Sequence, residues 1–145
     1  MKNKNWVLLT FLIVIAAYGC AKLRSAGYND YFKQKWMLTY VQGYEDAVVS
    51  KSKGYIDFTK APGTNQGGAF AGCNRMFFTY ETTAGNALNI RDIGSTKMMC
   101  EGIDLENGFA RHLEQVTSFE IKGHILLLKD ASGNVLIKAR DLNWK

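Results

Sequence analysis

Motifs that carry enzymatic chemistry are missing from this sequence of 145 residues. It has no Gly-x-Ser-x-Gly elbow, no phosphate-binding loop, no His-Glu-x-x-His motif and no Cys-x-x-Cys pair. There are only two histidines, and we expect both His112, on a predicted helix, and His124, beside a turn glycine, to be solvated. The sequence therefore predicts a protein that is not an enzyme and holds no cofactor, with a small enzyme as an alternative.

Strong charge of either sign is missing as well. The formal net charge is +5, and the most basic stretch, residues 22–35, also contains Gly, Ser and Asn. A nucleic-acid-binding domain would present a clustered basic face, so we expect no nucleic-acid partner. We interpret residues 21–34 as a solvated tether. Weak attraction of this segment to anionic lipid headgroups is the alternative.

The hydrophobic run near the N terminus is too short to cross a membrane. Residues 6–19 carry no charge, follow a short basic head and end at Cys20. The run has 14 residues, whereas a membrane-spanning helix needs about 20. Such a head, run and cysteine are typical of a lipoprotein signal, and Ala17 and Gly19 supply small residues before the cysteine. The usual pattern differs in having Leu at the place of Ala17 and a small residue at the place of Tyr18.

We therefore predict a signal peptide over residues 1–20 and a mature N terminus at Cys20 that carries acyl chains such as palmitate. A retained anchor helix and an ordinary cleaved signal are the alternatives. Neither Ala21 nor Lys22 is acidic, which by resemblance to lipoprotein sorting signals favours the outer membrane, facing the periplasm. The remaining 125 residues, with 16 basic and 13 acidic side chains, suit one domain, which we place at residues 35–145.

Short β-favouring runs separated by glycine fill most of this domain, as is typical of an antiparallel meander or barrel. The predicted strands cover residues 36–41, 54–59, 69–75, 77–81, 88–90, 118–121, 125–128 and 135–139. Residues 61–68 contain the only proline and are predicted to be a loop, and residues 84–86 a hairpin turn. The run 125–128 lacks polar alternation, which predicts a strand covered on both faces.

One helix is predicted over residues 104–116. Apolar side chains at steps of four, four and three share one face, which we expect to be buried: Leu105, Phe109, Leu113 and Val116. Acidic residues near its start and Arg111 and His112 near its end suit the helix dipole. Gly108 inside the helix indicates close packing against a strand. The expected fold is α+β, an antiparallel β-rich meander or partly closed barrel with one packing α-helix.

The most specific pattern combines a Trp-x-Leu strand, a Gly-Cys-Asn-Arg segment and a Thr-x-Met-x-Cys segment. The matching residues are Trp36, Leu38, Gly72, Cys73, Asn74, Arg75, Thr96, Met98 and Cys100. With the acidic start of the helix and the final Leu-rich hairpin, they resemble the META domain, the HslJ-like domain of bacterial envelope lipoproteins, over about residues 34–140. Met76 stands where the family commonly has an aromatic residue, and this exchange preserves apolar volume.

The resemblance implies a compact α+β or barrel-like domain, linked to heat or drug stress at the cell envelope and without established catalysis. Physical roles can be assigned to the motif residues themselves. Gly72 permits a backbone bend or a close approach, and Asn74 can hydrogen-bond nearby main chain. Arg75 is expected to pair with Asp92, Glu101 or a carbonyl. A partner-binding surface formed by the same segment is the alternative to this structural role.

Cys73 and Cys100 are the two cysteines left once Cys20 is assigned to the lipid. In an exported protein such a pair can persist as a disulfide, and we predict one here, with free buried thiols as the alternative. Spacing does not establish the bond, because the two Cα atoms must come within about 7 Å. Soft donors that could hold Cu(I) if they converged are Met76, Met98, Met99 and the two cysteines, although such methionines also fill cores.

Taken together, these patterns predict a lipid-anchored envelope protein that binds or supports other envelope components, its partner being an unidentified envelope protein or ligand. Two alternatives involve small ligands. One is a Cu(I)-binding protein. The other is a carrier of apolar ligands inside the barrel, with a cavity lined by Phe70, Phe78, Phe119 and Leu127.

Overall fold

A computed structural model describes residues 31–59, 64–83 and 85–143. The predicted signal peptide, the predicted lipidation site Cys20 and most of the predicted tether lie outside these residues. Among the helices that are described, none has both the length and the apolar character needed to cross a membrane.

Eight strands and two helices are defined in this part of the chain. The strands are β1 Lys35–Val41, β2 Tyr55–Asp57, β3 Gln66–Phe70, β4 Arg75–Thr82, β5 Leu88–Ser95, β6 Ser118–Lys122, β7 Ile125–Lys129 and β8 Val135–Asp141. The helices are α1 Asp46–Ser52, between β1 and β2, and α2 Ile103–Gln115, between β5 and β6.

All strands belong to one antiparallel sheet with the order β5-β4-β3-β2-β1-β8-β7-β6. The sheet curls until its two outer strands meet at one end, where Ala87 and Ser118 form a bridge. Beside this bridge, the Leu88 N–H donates to the Thr117 carbonyl at 3.0 Å. α2 packs against β5 and β8. The prediction of an α+β fold with a partly closed barrel and a packing helix is confirmed.

Side chains on the inner face of the sheet form the core. One row across four strands consists of Trp36, Ile56, Ala69 and Met76, each paired with the next and all buried. Residues opposite one another in a ladder lie on the same face, and alternate residues along a strand lie on opposite faces. This alternation explains why half of each strand is apolar and the other half remains accessible to solvent.

Phe32 belongs to this core although it precedes β1. Its side chain is fully buried, and its ring centroid lies 4.1 Å from that of Phe58 and 4.4 Å from that of Phe119. Trp36 Nε1 donates to the Phe32 carbonyl at 3.0 Å. The folded domain therefore begins no later than Phe32, and the predicted boundary between tether and domain at residue 35 is too late. The reason is that a buried aromatic ring fixes the chain three residues before the first strand.

α2 confirms the helix prediction, because Phe109 and Leu113 are fully buried. Gly108, however, packs against Tyr44 in the turn after β1 and not against a strand. A Cβ atom at Gly108 would lie 2.1 Å from the Tyr44 hydroxyl oxygen. That hydroxyl donates to the Asp104 carbonyl at 2.7 Å, so Tyr44 fills the space that the glycine leaves open.

Three features along the chain were not predicted. α1 is an additional short helix, and β5 continues to Ser95, beyond the predicted end at residue 90. Gln66, Gly67 and Gly68, predicted to be loop, pair with β4 in the sheet. A Cβ atom at Gly67 would lie 2.2 Å from the Phe78 ring, so this glycine gives room to a core aromatic and does not mark a loop.

β7 and His112 also differ from expectation. Leu126 and Leu128 are fully buried, but Ile125 and Leu127 are only half-buried, so the prediction that both faces of this strand are covered is wrong. The reason is that Ile125 and Leu127 alternate with the buried leucines and so lie on the outer face of the sheet. His112 is half-buried and therefore only partly solvated, and its Nε2 donates to the Gln42 carbonyl at 2.9 Å.

The proposed apolar-ligand cavity does not form from its four predicted side chains. Phe78 and Phe119 lie buried in the core. Phe70 and Leu127 are half-buried and alternate with inward-facing neighbours, which places them on the outer face. The sheet itself separates the two pairs.

Candidate functional site

Asn74 is a buried polar residue at the centre of the motif segments. It lies between β3 and β4, directly after the backbone bends at Gly72, whose φ of +118° favours glycine. The Asn74 Oδ1 atom accepts hydrogen bonds from Thr96 Oγ1 at 2.9 Å and from the Met98 N–H at 2.7 Å. Its Nδ2 donates to the Met98 carbonyl at 3.1 Å. One side chain therefore fixes the backbone of the segment that follows β5.

Thr96 extends this connection to the neighbouring strand. Its hydroxyl oxygen accepts a hydrogen bond from the Arg75 N–H at 3.2 Å, and its own N–H donates to the Arg75 carbonyl at 3.1 Å. The side chain and the backbone of Thr96 thus both hold the chain after β5 beside the start of β4.

A disulfide closes the same segment at its far end. Cys73 and Cys100 are bonded, with Cα atoms 5.9 Å apart and a sequence separation of 27. The predicted disulfide is confirmed, and it excludes the alternative of two free thiols. It also removes both thiolates from the set of soft donors considered for Cu(I), while Met76 is buried on the inner face and Met98 is exposed. Within the described residues, no three His, Cys, Asp or Glu side chains converge as a metal site.

We call residues 96–100 the methionine loop. Its two methionine side chains point into solvent, with Met98 59% and Met99 100% exposed. Exposed apolar side chains are common singly, but these two adjacent methionines project from a backbone that a disulfide and a buried amide hold in place. The chain loses little further conformational entropy when such a projection contacts a partner.

A cleft of about 470 Å³ lies beside the methionine loop. It separates α1 from the start of α2, and its floor includes Ala71 and Gly72, next to the disulfide. Apolar, neutral polar and charged side chains line it: Val48, Lys51, Ser52, Glu101 and Leu105. Val48 is exposed, so the apolar surface continues from the cleft onto α1.

Glu106 supports the floor of the site from α2. It is buried, and its Oε2 accepts a hydrogen bond from the Asn74 N–H. The sequence indicated an acidic start to this helix, which we interpreted as a dipole effect. Burial of the Glu106 carboxylate was not predicted from the sequence. The one signal in the sequence is that Glu106 directly follows Leu105, which faces the core.

The motif residues do not all meet. Cys73, Asn74, Arg75, Thr96, Met98 and Cys100 come together at the methionine loop, whereas Trp36 lies in the barrel core. Arg75 is exposed, and its predicted pairing with Asp92 or Glu101 is wrong within the described part of the chain. Asp92 instead accepts a hydrogen bond from Thr79 Oγ1 at 2.7 Å.

Solved structures share this fold. A protein from Burkholderia xenovorans determined by NMR has a TM-score of 0.56 and 19% identity, with 77% of this chain and 83% of that chain covered. A crystal structure of a duf4847 family protein from Bacteroides vulgatus ATCC 8482 has a TM-score of 0.57 and 12% identity, with 82% and 100% covered. At these identities the similarity concerns the fold alone.

Sequence comparison gives a closer assignment. No curated protein matches the sequence significantly. The family model described as META domain matches residues 29–142, which include the whole described sheet, both helices and every motif residue of the methionine loop. The chain therefore belongs to the META domain family.

Proposed function

We propose that this protein is a non-catalytic, lipid-anchored component of the bacterial cell envelope that binds another envelope protein through the methionine loop and the adjacent face of α1. The observation that carries the proposal is the exposure of Met98 and Met99 on a backbone that is held in place. A disulfide and the buried side chain of Asn74 hold this loop, although its two methionines make no contribution to the core.

The chemistry of the loop suits a protein partner. Methionine side chains are flexible and polarizable, so they adapt to irregular apolar surfaces. The charged residues Lys51 and Glu101 flank the neighbouring cleft, as in interfaces where an apolar centre is surrounded by a polar rim. Val48 extends the apolar centre onto α1.

Placement in the envelope rests on the N-terminal sequence and on the disulfide. The basic head, the uncharged run and Cys20 support export and acylation, and a persistent disulfide suits an oxidising compartment. Ala21 and Lys22 favour the outer membrane, facing the periplasm. The family resemblance links such domains to heat or drug stress, and we extend that role to this protein.

Site-specific photo-crosslinking in living cells tests the binding surface. A photoreactive residue at Met99 should yield one discrete crosslinked species, and the same residue at Ser132, exposed in the distant β7–β8 turn, should yield none. A photoreactive residue at Val48 should yield the same species. Replacing both Met98 and Met99 with Gln should weaken the crosslinking from Val48. The matched control Leu142→Gln, an exposed apolar residue elsewhere, should not weaken it. Equal crosslinking from Met99 and Ser132 would contradict the proposal.

Mass spectrometry of protein extracted from membranes tests the anchor. The mature chain should begin at Cys20 with acyl chains attached, and separation of the two membranes should place it in the outer one. An intact N terminus with an unmodified Cys20 would refute acylation, and recovery in the inner membrane would refute the outer-membrane assignment.

A further inference from the structure

The outer face of the sheet carries two adjacent rows of side chains across β2, β3 and β4. One row contains Tyr55, Phe70 and Arg75, which pair in succession. The parallel row contains Asp57, Gly68 and Phe77. Directly opposite residues share a face, as do residues two apart along a strand, so Gly68 leaves a gap among five side chains.

This gap remains open because Phe77 leans away from it. The Phe77 ring lies over Gly94 of β5, where a Cβ atom would be only 2.2 Å from a ring carbon. On the other side of Gly68, a hollow of about 140 Å³ remains. The residues that line it are Tyr55, Asp57, Gly68, Ala69, Arg75 and Met76.

Opposite charges lie on two sides of this hollow without pairing. Asp57 and Arg75 belong to β2 and β4, with β3 between them, and no ion pair joins them in the described structure. Asp57 Oδ1 accepts hydrogen bonds from the Thr59 N–H at 2.8 Å and from Thr59 Oγ1 at 2.6 Å. Among the described residues, no carbonyl or carboxylate accepts a hydrogen bond from the Arg75 guanidinium.

Tyr55 supplies the aromatic side of the hollow. The Tyr55 and Phe70 rings stack with centroids 6.0 Å apart, and Lys35 Nζ lies 3.6 Å from the centre of the Tyr55 ring. Lys35 therefore interacts with the aromatic face, although it pairs with Asp57 in the ladder. The Asp57 carboxylate keeps capacity to accept hydrogen bonds from a bound cation.

We infer that this outer-face hollow binds a small zwitterion, an amino acid or a dipeptide, with the ligand carboxylate on Arg75 and the ligand ammonium on Asp57. Arginine presents a planar fork of donors that matches a carboxylate. Ligand pockets for drug-sized molecules measure about 300–1,000 Å³, so 140 Å³ admits only a small group. The ligand contacts the Arg75 guanidinium on the outer face, whereas the Arg75 backbone holds Thr96 of the methionine loop. The inference therefore concerns a different surface and goes beyond the proposed function.

Titration of the isotope-labelled full-length protein in detergent with alanyl-alanine, followed by backbone amide NMR, tests this site. The amides of Gly68 and Arg75 should shift saturably at millimolar concentrations. Arg75→Gln and Asp57→Asn should each weaken binding about tenfold, because each loses a hydrogen bond to a charged group. The control Arg91→Gln, whose arginine pairs with Glu81 at 2.6 Å, should bind like the wild type.

The two charges of the probe are tested separately. N-acetyl-alanine amide, which lacks both, should cause no saturable shift, and acetate alone should bind more weakly than the dipeptide. Equal shifts with acetate would reduce the site to an anion contact and overturn the assignment of Asp57. Chemical shift changes that persist in both variants would overturn the inference. So would the absence of any change with the dipeptide when the spectrum shows the dispersion of a folded domain. Neither outcome bears on the crosslinking at Met99.

Discussion

Asn74 and Met98 are joined through both halves of one amide side chain, since Oδ1 accepts from the Met98 N–H and Nδ2 donates to the Met98 carbonyl. The side chain thereby provides the pair of hydrogen bonds that an adjacent strand would otherwise provide. The β4–β5 ladder ends in the pairs Met76–Ser95 and Arg75–Thr96. Asn74 continues it by one further pair without extending either strand.

Replacing Asn74 with Ala should lower the free energy of unfolding by about 3 kcal/mol, because several hydrogen bonds are lost and buried groups remain unpaired. Asn107→Ala is the matched control, since Asn107 is exposed on α2 and its substitution should change stability by about 0.5 kcal/mol or less. Urea denaturation measures both. A loss below about 1 kcal/mol for Asn74→Ala would mean that water replaces the amide.

Removal of the disulfide should also destabilise the domain. The double variant Cys73→Ala/Cys100→Ala should be less stable by roughly 3 kcal/mol, because the unfolded chain is no longer restrained across 27 residues. A reducing agent should cause a similar loss in the wild type and none in the double variant. Thiol counting on unreduced, denatured wild-type protein should find neither cysteine reactive; two reactive thiols would show that the bond does not form in the mature protein.

Shortening the buried Phe109 side chain of α2 should be among the single substitutions that destabilise the domain most. Phe109→Ala should reduce the free energy of unfolding by about 3–5 kcal/mol, because it leaves a cavity under the helix. Arg111→Ala, on the exposed side of the same helix, should change it by about 0.5 kcal/mol or less. Thermal or urea denaturation distinguishes the two, and similar small effects would indicate that the apolar face of α2 is not docked.

Gly108 and Tyr44 should show strong coupling. Alanine normally stabilises a helix interior by about 1 kcal/mol relative to glycine, but Gly108→Ala should destabilise this protein because its Cβ would collide with Tyr44. In a Tyr44→Ala background, the same substitution should become neutral or stabilising. A double-mutant cycle measures this change, and additive effects would show that Tyr44 does not occupy the space above Gly108.

Stability at high pH should depend on Tyr80. Burial, together with the nearby negative charge of Asp57, raises the pKa of its phenol above the ordinary value. Because the unfolded state ionises first, the contribution of this tyrosine to stability is present below about pH 10 and declines as the pH rises through the folded-state pKa.

Tyr80→Phe provides the comparison. It should cost about 1 kcal/mol at neutral pH, because the 2.9 Å hydrogen bond from the phenol to the Phe58 carbonyl is lost. The difference from the wild type should shrink above about pH 10. Urea denaturation at several pH values measures it, and a constant difference would exclude a raised pKa for this group.

The periodicity of apolar residues was sufficient to predict α2 but not α1. Thirteen residues of α2 repeat their apolar positions at helical spacing around a buried Phe109. α1 has only seven residues, includes adjacent valines that favour strands, and buries Val49 alone. It follows that packing of Val49 on the barrel, rather than intrinsic preference, stabilises α1.

The role of a glycine also depends on tertiary packing, which the sequence alone does not show. In sequence, Gly67 resembles a loop residue, but in the structure it makes room for the Phe78 ring in the core. The motif residues did predict that Cys73 and Cys100 would meet. They could not predict that Glu106 reaches Asn74, because that contact depends on how α2 docks against the barrel.

β8 lies between β1 and β7 although it is last in sequence, and Thr39 Oγ1 donates to the Lys138 carbonyl 99 positions away. Nearly the whole chain must therefore be present before β1 and β7 acquire their shared neighbour. Without β8, the strands β1 and β7 each present an open edge that can recruit foreign strands. A chain ending at Asn134 should consequently aggregate, whereas a chain ending at Asp141 should complete its sheet and remain dispersed.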